Sequence, residues 1–293
     1  MGIFLMIIAI IFFVSILLIF RVFNNYKIDN YQALIVNYFI AALFAITIYS
    51  GDLTLTDIPN QLWFQPSLLL GLLYSVGFLI FALSTQKAGI AITSVFSKMS
   101  ILIPVLFGAY FYESESITII KISGLFLAML SFFLIFKSEK SEIINKKAIF
   151  LPLLIFLFTG LNDTILKYIR EVYFNIAVSD INSEIFIMGS IFSISFIVSI
   201  IIFGIPILLE RRKIEIKNFI AGAILGIINF LSAFTMFKAM GHFESSVFFP
   251  IFNVGIVGLS AIVGVIFFKE KLSKTNYIGL AIALGAILLL TIN

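Results

Sequence analysis

The chain has 293 residues, 61% of them hydrophobic and 12% charged, against roughly 45–50% apolar and about 25% charged in a soluble domain. No water-soluble fold of this length hides so much apolar surface, so composition overrides the length-based expectation of one or two soluble domains. The formal net charge is +4, but the basic residues fall in short loops between apolar runs, a pattern that encodes membrane orientation and not nucleic-acid binding. With no cysteine and a single histidine, His242, disulfides, thiolate chemistry and histidine metal clusters are excluded.

In chain order, the first apolar run, near 2–20, has no basic region before it and no small-residue cleavage pattern after it. It reads as a retained membrane helix and not as a signal peptide. Runs near 32–50, 63–86, 90–111 and 118–136 follow, each of the roughly 20 residues that a bilayer core of about 30 Å requires. After the charged segment 138–147 a second series appears, near 148–166, 183–209, 218–238, 243–268 and 275–291. The predicted fold is an all-α integral membrane protein with ten transmembrane helices, built as two five-helix repeats, 1–137 and 148–293, joined by that charged linker.

The two series are related in sequence. Gly71, Ala82, Lys87 and Ala88 match Gly222, Ala233, Lys238 and Ala239 at one offset. After a slip of one residue, Gly89 and Ser94-Val95-Phe96 align with Gly241 and Ser246-Val247-Phe248. After a further slip, Glu115, Gly124, Leu125 and Ala128 align with Glu270, Gly279, Leu280 and Ala283. Five helices per repeat is an odd number, so the second repeat enters the membrane with opposite orientation and the repeat is inverted. The odd-numbered loops carry Arg21 and Lys27, Lys87, the lysines of 137–147, Arg211 to Lys217, and Lys269, Lys271 and Lys274. The even-numbered loops carry Lys121, Lys167, Arg170 and Lys238 beside Asp52, Asp57, Glu113 and Glu115. The positive-inside rule then predicts a multi-pass protein of the plasma or inner membrane with both termini outside.

The segments Phe237 to Gly241, Ser245 to Pro250, Phe267 to Ser273 and Gly279, echoed in the first repeat by Lys98 to Pro104, Glu115 and Gly124, resemble the EamA family of the drug/metabolite transporter superfamily. The resemblance implies a basket of ten helices around a central cavity used by alternating access, with the fifth and tenth at the periphery. Family members are drawn with cytoplasmic termini, opposite to the loop charge here. This chain also departs from the pattern in aligning Lys98 with Pro250, which makes the two cavity-lining hairpins chemically unequal.

Candidate site residues follow from depth, at about 1.5 Å of helix per residue. Lys98, Tyr74, Asn229 and Asn253 all fall roughly 12–17 Å into their predicted helices. An ionised Lys near a helix centre costs on the order of 2.5–3.5 kcal/mol unless it finds water or a partner. Lys98 is therefore the leading substrate-binding candidate, with Tyr74, Ser94, Ser97, Asn229 and Asn253 as further cavity candidates; the alternatives are a snorkelling or structurally paired Lys, amide packing between helices and serine bonds returned to the helix backbone. Asp163, with Asn162, is the candidate counter-charge or coupling site, placed toward the outer mouth. Pro104 and Pro250 interrupt backbone bonding in the fourth and ninth helices and are gating candidates, or static kinks. Glu184 and Glu244 read as charges favoured by helix N-termini. Gly222 with Gly226, and Gly255, Gly258 and Gly264, read as close-packing surfaces.

These features predict a secondary transporter that exports or exchanges a small polar metabolite, an amino acid or another carboxylate. Import of a sugar or choline-like compound and efflux of lipophilic cations are the alternatives within the class. There is no Gly-rich nucleotide loop. A membrane-embedded lipid-modifying enzyme lacks the clustered acids it would need, and a scaffold leaves mid-depth polar groups without a purpose. The expected partners are a small-molecule substrate and the lipid bilayer, with proton or cation coupling and a homodimer as open possibilities. No nucleic acid, cofactor or metal is expected.

Overall fold

The computed structural model describes residues 1–88, 90–113, 117–136, 150–174, 181–268 and 273–291. The predicted linker 138–147 and the repeat-matching residues Gly89, Glu115 and Glu270 lie outside these. The helices are α1 (Gly2–Asn25), α2 (Asn30–Ile48), α3 (Phe64–Ala88), α4 (Ile90–Met99), α5 (Leu102–Phe111), α6 (Ile119–Phe136), α7 (Phe150–Phe174), α8 (Ile181–Ser199), α9 (Ile205–Leu209), α10 (Ile216–Met240), α11 (Ser245–Phe268) and α12 (Lys274–Thr291). Among the described residues seven helices are long and apolar enough to cross a membrane, and shorter apolar helices lie at 96–111, 119–135 and 274–290. Large apolar side chains such as Ile3, Phe126 and Leu284 face outward, as a lipid-solvated surface requires.

The chain forms two compact units, residues 1–76 with 168–241 and residues 77–167 with 242–293. Each draws on both sequence repeats. In the first unit α2 packs against α8 and α10, and α1 against α10. A Cβ added at Gly222 would lie 2.5 Å from the Ala33 carbonyl oxygen, and one at Gly226 2.6 Å from that of Asn37. The glycine pair thus lets α10 lie directly on the α2 backbone, the expected small-residue packing. Around this seam Phe192 and Phe230 (centroids 6.1 Å apart) gather Tyr38, Tyr74 and Phe44 into an aromatic core.

In the second unit α6 and α12 pack along their length. Their contact is reciprocal: a Cβ at Gly124 would meet Leu290 at 2.7 Å, and one at Gly279 would meet the Ile135 backbone nitrogen at 2.8 Å. Gly124 aligns with Gly279, and at the same offset Ile135 aligns with Leu290. Gly258, by contrast, faces open space, so the close-packing role expected there is corrected.

Three expected helices differ in detail. The run at 90–111 is broken into α4 and α5 at Ser100–Ile101, because Pro104 has no N–H to return to the Ser100 carbonyl and its ring crowds it. Pro250 produces no such break: it lies in the second turn of a continuous α11. The run at 183–209 passes through a π-helical segment, Ile200–Gly204, before α9. Here Pro206 cannot donate to the carbonyl four residues back. The run expected to end near 166 continues to Phe174; charge does not mark a loop here, since Lys167 is 2% exposed and its ammonium donates to the Phe243 carbonyl at 2.7 Å.

Candidate functional site

The break after α4 creates a helix C-terminus inside the apolar span, and Lys98 stands in its last turn. The carbonyl ends of that last turn carry partial negative charge, which favours a cation. Lys98 Nζ donates to Asn253 Oδ1 of α11 at 2.9 Å. Because an ammonium has only donors, the amide oxygen must face it. Asn253 Nδ2 in turn donates to the Phe249 carbonyl at 3.0 Å, which fixes the amide in one orientation. Asn253 is buried.

Asp163 of α7 is also buried and interacts electrostatically with Lys98. The longer α7 moves Asn162 and Asp163 from the outer mouth to the middle of their helix. Asn162 hydrogen-bonds to Asp163, while its own Oδ1 is enclosed without a partner. Ser94 and Ser97 lie half-buried along α4. The Ser97 carbonyl accepts from Ser100 Oγ at 2.6 Å, so at Ser100 the hydroxyl is returned to the backbone at the break. The second unit therefore brings Lys98, Asn253 and Asp163 together, with Pro104 positioning the break beside them.

Tyr74 and Asn229 belong to the first unit. The Tyr74 carbonyl accepts from Tyr38 Oη at 3.2 Å, and Asn229 Nδ2 donates to Asn37 Oδ1 at 3.2 Å. Asn37 and Tyr38 were missed in the sequence, although Asn37 sits about as deep in α2 as Asn229 does in α10. A cavity of about 150 Å³ in this unit is lined by Ala45, Tyr49, Ile185, Phe186 and Ser190 among others.

Glu184 in the first turn of α8 and Glu244 just before α11 stand at helix starts as expected, and both are paired as well. Glu184 is 0% exposed and bonds to Arg170 Nη1 of α7, with Lys238 Nζ of α10 at 3.3 Å from its other oxygen. In the second unit Glu244 accepts from Lys121 Nζ. At the opposite end of α10, Asn218 Oδ1 accepts from the Asp29 N–H at 3.0 Å and Asn218 Nδ2 donates to Gln32 Oε1 at 2.9 Å. Arg212 donates to Asp29 at 3.0 Å, and that bond raises the guanidinium pKa further above its already high value. Among the described residues no group of three His, Cys, Asp or Glu side chains is placed to hold a metal.

Residues 1–137 match the EamA-like transporter family. An uncharacterized protein from Haemophilus influenzae is 26% identical over 290 residues, covering 96% of this chain and 95% of that one. A solved crystal structure of a protein is similar over 99% of this chain and 96% of its own, with a TM-score of 0.76 and 12% identity; at that identity the likeness is one of fold.

Proposed function

We propose that this chain, whose residues 1–137 match the EamA-like transporter family, is a secondary carrier that exports or exchanges a small polar metabolite bearing a carboxylate, an amino acid being the simplest case. The observation that carries this reading is the Lys98–Asn253 pair with Asp163 at mid-depth, at a helix break. Interrupted helices whose ends face a solute or ion at the membrane centre are a recurring device of secondary carriers. Lys98 supplies the positive charge for the solute carboxylate, Asn253 orients it, and Asp163 is the group through which a proton or cation couples. The reading takes the helices as ten spans in two inverted repeats, 1–137 and 148–293, with both chain termini outside the cell. The reciprocal α6–α12 contact supports the repeat relation. Ser94 and Ser97 line the approach in this reading, and Pro250 stays a static element.

The test is uptake and counterflow of a panel of amino acids, other carboxylates, sugars and quaternary amines by purified protein in proteoliposomes, with and without a pH gradient. A carboxylate is transported, Lys98→Ala abolishes its flux, and Asp163→Asn removes the response to the gradient. Normal flux through Lys98→Ala, or transport confined to cations, refutes the assignment.

A further inference from the structure

The first unit holds a second concentration of charge that the transport reading does not use. Among the described residues Arg170 and Lys238 share one carboxylate, Glu184, so two cations face one acid in a region where Arg170 is 9% and Glu184 0% exposed.

The two cations are positioned without help from the acid. The Arg170 guanidinium lies over the rings of Phe174 and Phe237, 5.5 and 5.3 Å from their centroids. Lys238 Nζ lies 5.4 Å from the Phe234 ring. Ring faces attract cations and hold them in place. A Cβ at Gly241 would collide with the Arg170 Nε–Nη2 edge, so a residue without a side chain provides the seat for the guanidinium.

The carboxylate fits less well than the cations do. It takes one bond from Arg170 Nη1. Glu184 Oε2 has no hydrogen bond despite its ion-pair distance to Lys238, and Arg170 Nε is buried with no acceptor. An arginine meeting a carboxylate in its preferred way uses two parallel donors. The fixed part of the cluster is the cationic cradle, and the replaceable part is the acid.

We propose that Arg170 and Lys238 form a binding site for a small carboxylate anion and that Glu184 is its tethered occupant, displaced when a solute carboxylate enters. The site itself stands on this geometry; that its visitor is the transported solute rests on the transport reading.

Glu184→Ala removes the tether and leaves both cations. In detergent at equal ionic strength, sodium acetate raises the melting temperature of this variant over sodium chloride by about 3 °C or more, while neutral acetamide, of the same shape, does not. The wild type, already occupied, shows no acetate-specific gain, and adding Arg170→Ala abolishes the gain. A variant recovered folded only in acetate supports the site equally. No difference between acetate and chloride, or no folded protein in either, overturns it. Because the chain has no cysteine, Glu184→Cys gives a second reading: a negatively charged methanethiosulfonate reacts faster than a positively charged one by about tenfold or more, and acetate slows it. Equal rates, or no reaction, overturn the site. Neither readout involves flux, so failure here and failure of the carrier assignment are told apart.

Discussion

Two amide bonds between helices test whether the Lys98 environment is a charged site or ordinary packing. Asn253→Leu and Asn229→Leu each replace an amide by an apolar side chain of similar size. At Asn229 the lost bond is neutral, 3.2 Å long and made to Asn37, and such bonds in a membrane protein average about 0.6 kcal/mol. At Asn253 the lost bond is 2.9 Å long and accepted from an ammonium, for which about 1.5–3 kcal/mol is typical. The substitution also leaves that ammonium in the apolar span without this acceptor. With about 2–4 °C per kcal/mol for chains of 150–250 residues, the expected losses are about 1–2 °C for Asn229→Leu and about 3–12 °C for Asn253→Leu.

Melting is to be compared in one detergent at one heating rate, since irreversible unfolding depends on the rate of heating. Adding Lys98→Met to Asn253→Leu costs less than the sum of the two single changes, because the two side chains act as a pair; Asp163, deprived of its countercharge, keeps the double variant below the wild type. Equal losses at the two asparagines, or a purely additive double variant, would show that Asn253 is packing and that Lys98 draws nothing from it.

Three further outcomes follow from the geometry. Gly222→Val, whose Cβ would press on the Ala33 carbonyl, costs about 1–3 kcal/mol of overpacking, whereas Gly258→Ala, facing open space, leaves melting unchanged within about 1 °C. Lys27 and Arg211 have φ of 50° and 48°, left-handed conformations that cost an L residue about 1–2 kcal/mol, so Arg211→Gly raises the melting temperature by about 2 °C or more; a fall would show that the Arg211 side chain outweighs the strain. A reporter fused after Asn293 and active only outside the cytoplasm is active; a cytoplasmic signal there overturns the orientation drawn from loop charge.

The helices were legible because long apolar runs bounded by charge can do little else in a bilayer. Their ends were misread wherever charge did not mean loop. Lys167 and Arg170 look like loop residues, but each is absorbed by a partner that is distant in sequence, Phe243 and Glu184. The same blindness hid Arg170, Glu184 and Lys238 as a cluster, although Glu184 was legible as a helix-start charge. Lys98 was legible as a mid-span cation. Its cause was not, because the helix break depends on how the chain resolves the missing Pro104 donor. Pro250, with the same chemistry near the start of α11, was absorbed without a break.

The depth of charge distinguishes the two units. Along α10, Asn218 and Lys238 are twenty residues apart, about 30 Å, close to the thickness of the hydrocarbon core. Ionised groups of the first unit stand near those two levels: Arg212 with Asp29 at one, Arg170, Glu184 and Lys238 at the other. Halfway between them the α2–α10 seam carries the neutral Asn37–Asn229 bond. This is the arrangement that minimises cost, since a charge is most expensive at the centre of the bilayer. In the second unit Lys98 stands at the break between α4 and α5 and Asp163 in the middle of α7, and stability alone gives no reason to keep them there when a neutral pair would cost less. A carrier has such a reason, because a charged solute crossing the centre meets the largest barrier there and needs a fixed countercharge at that depth.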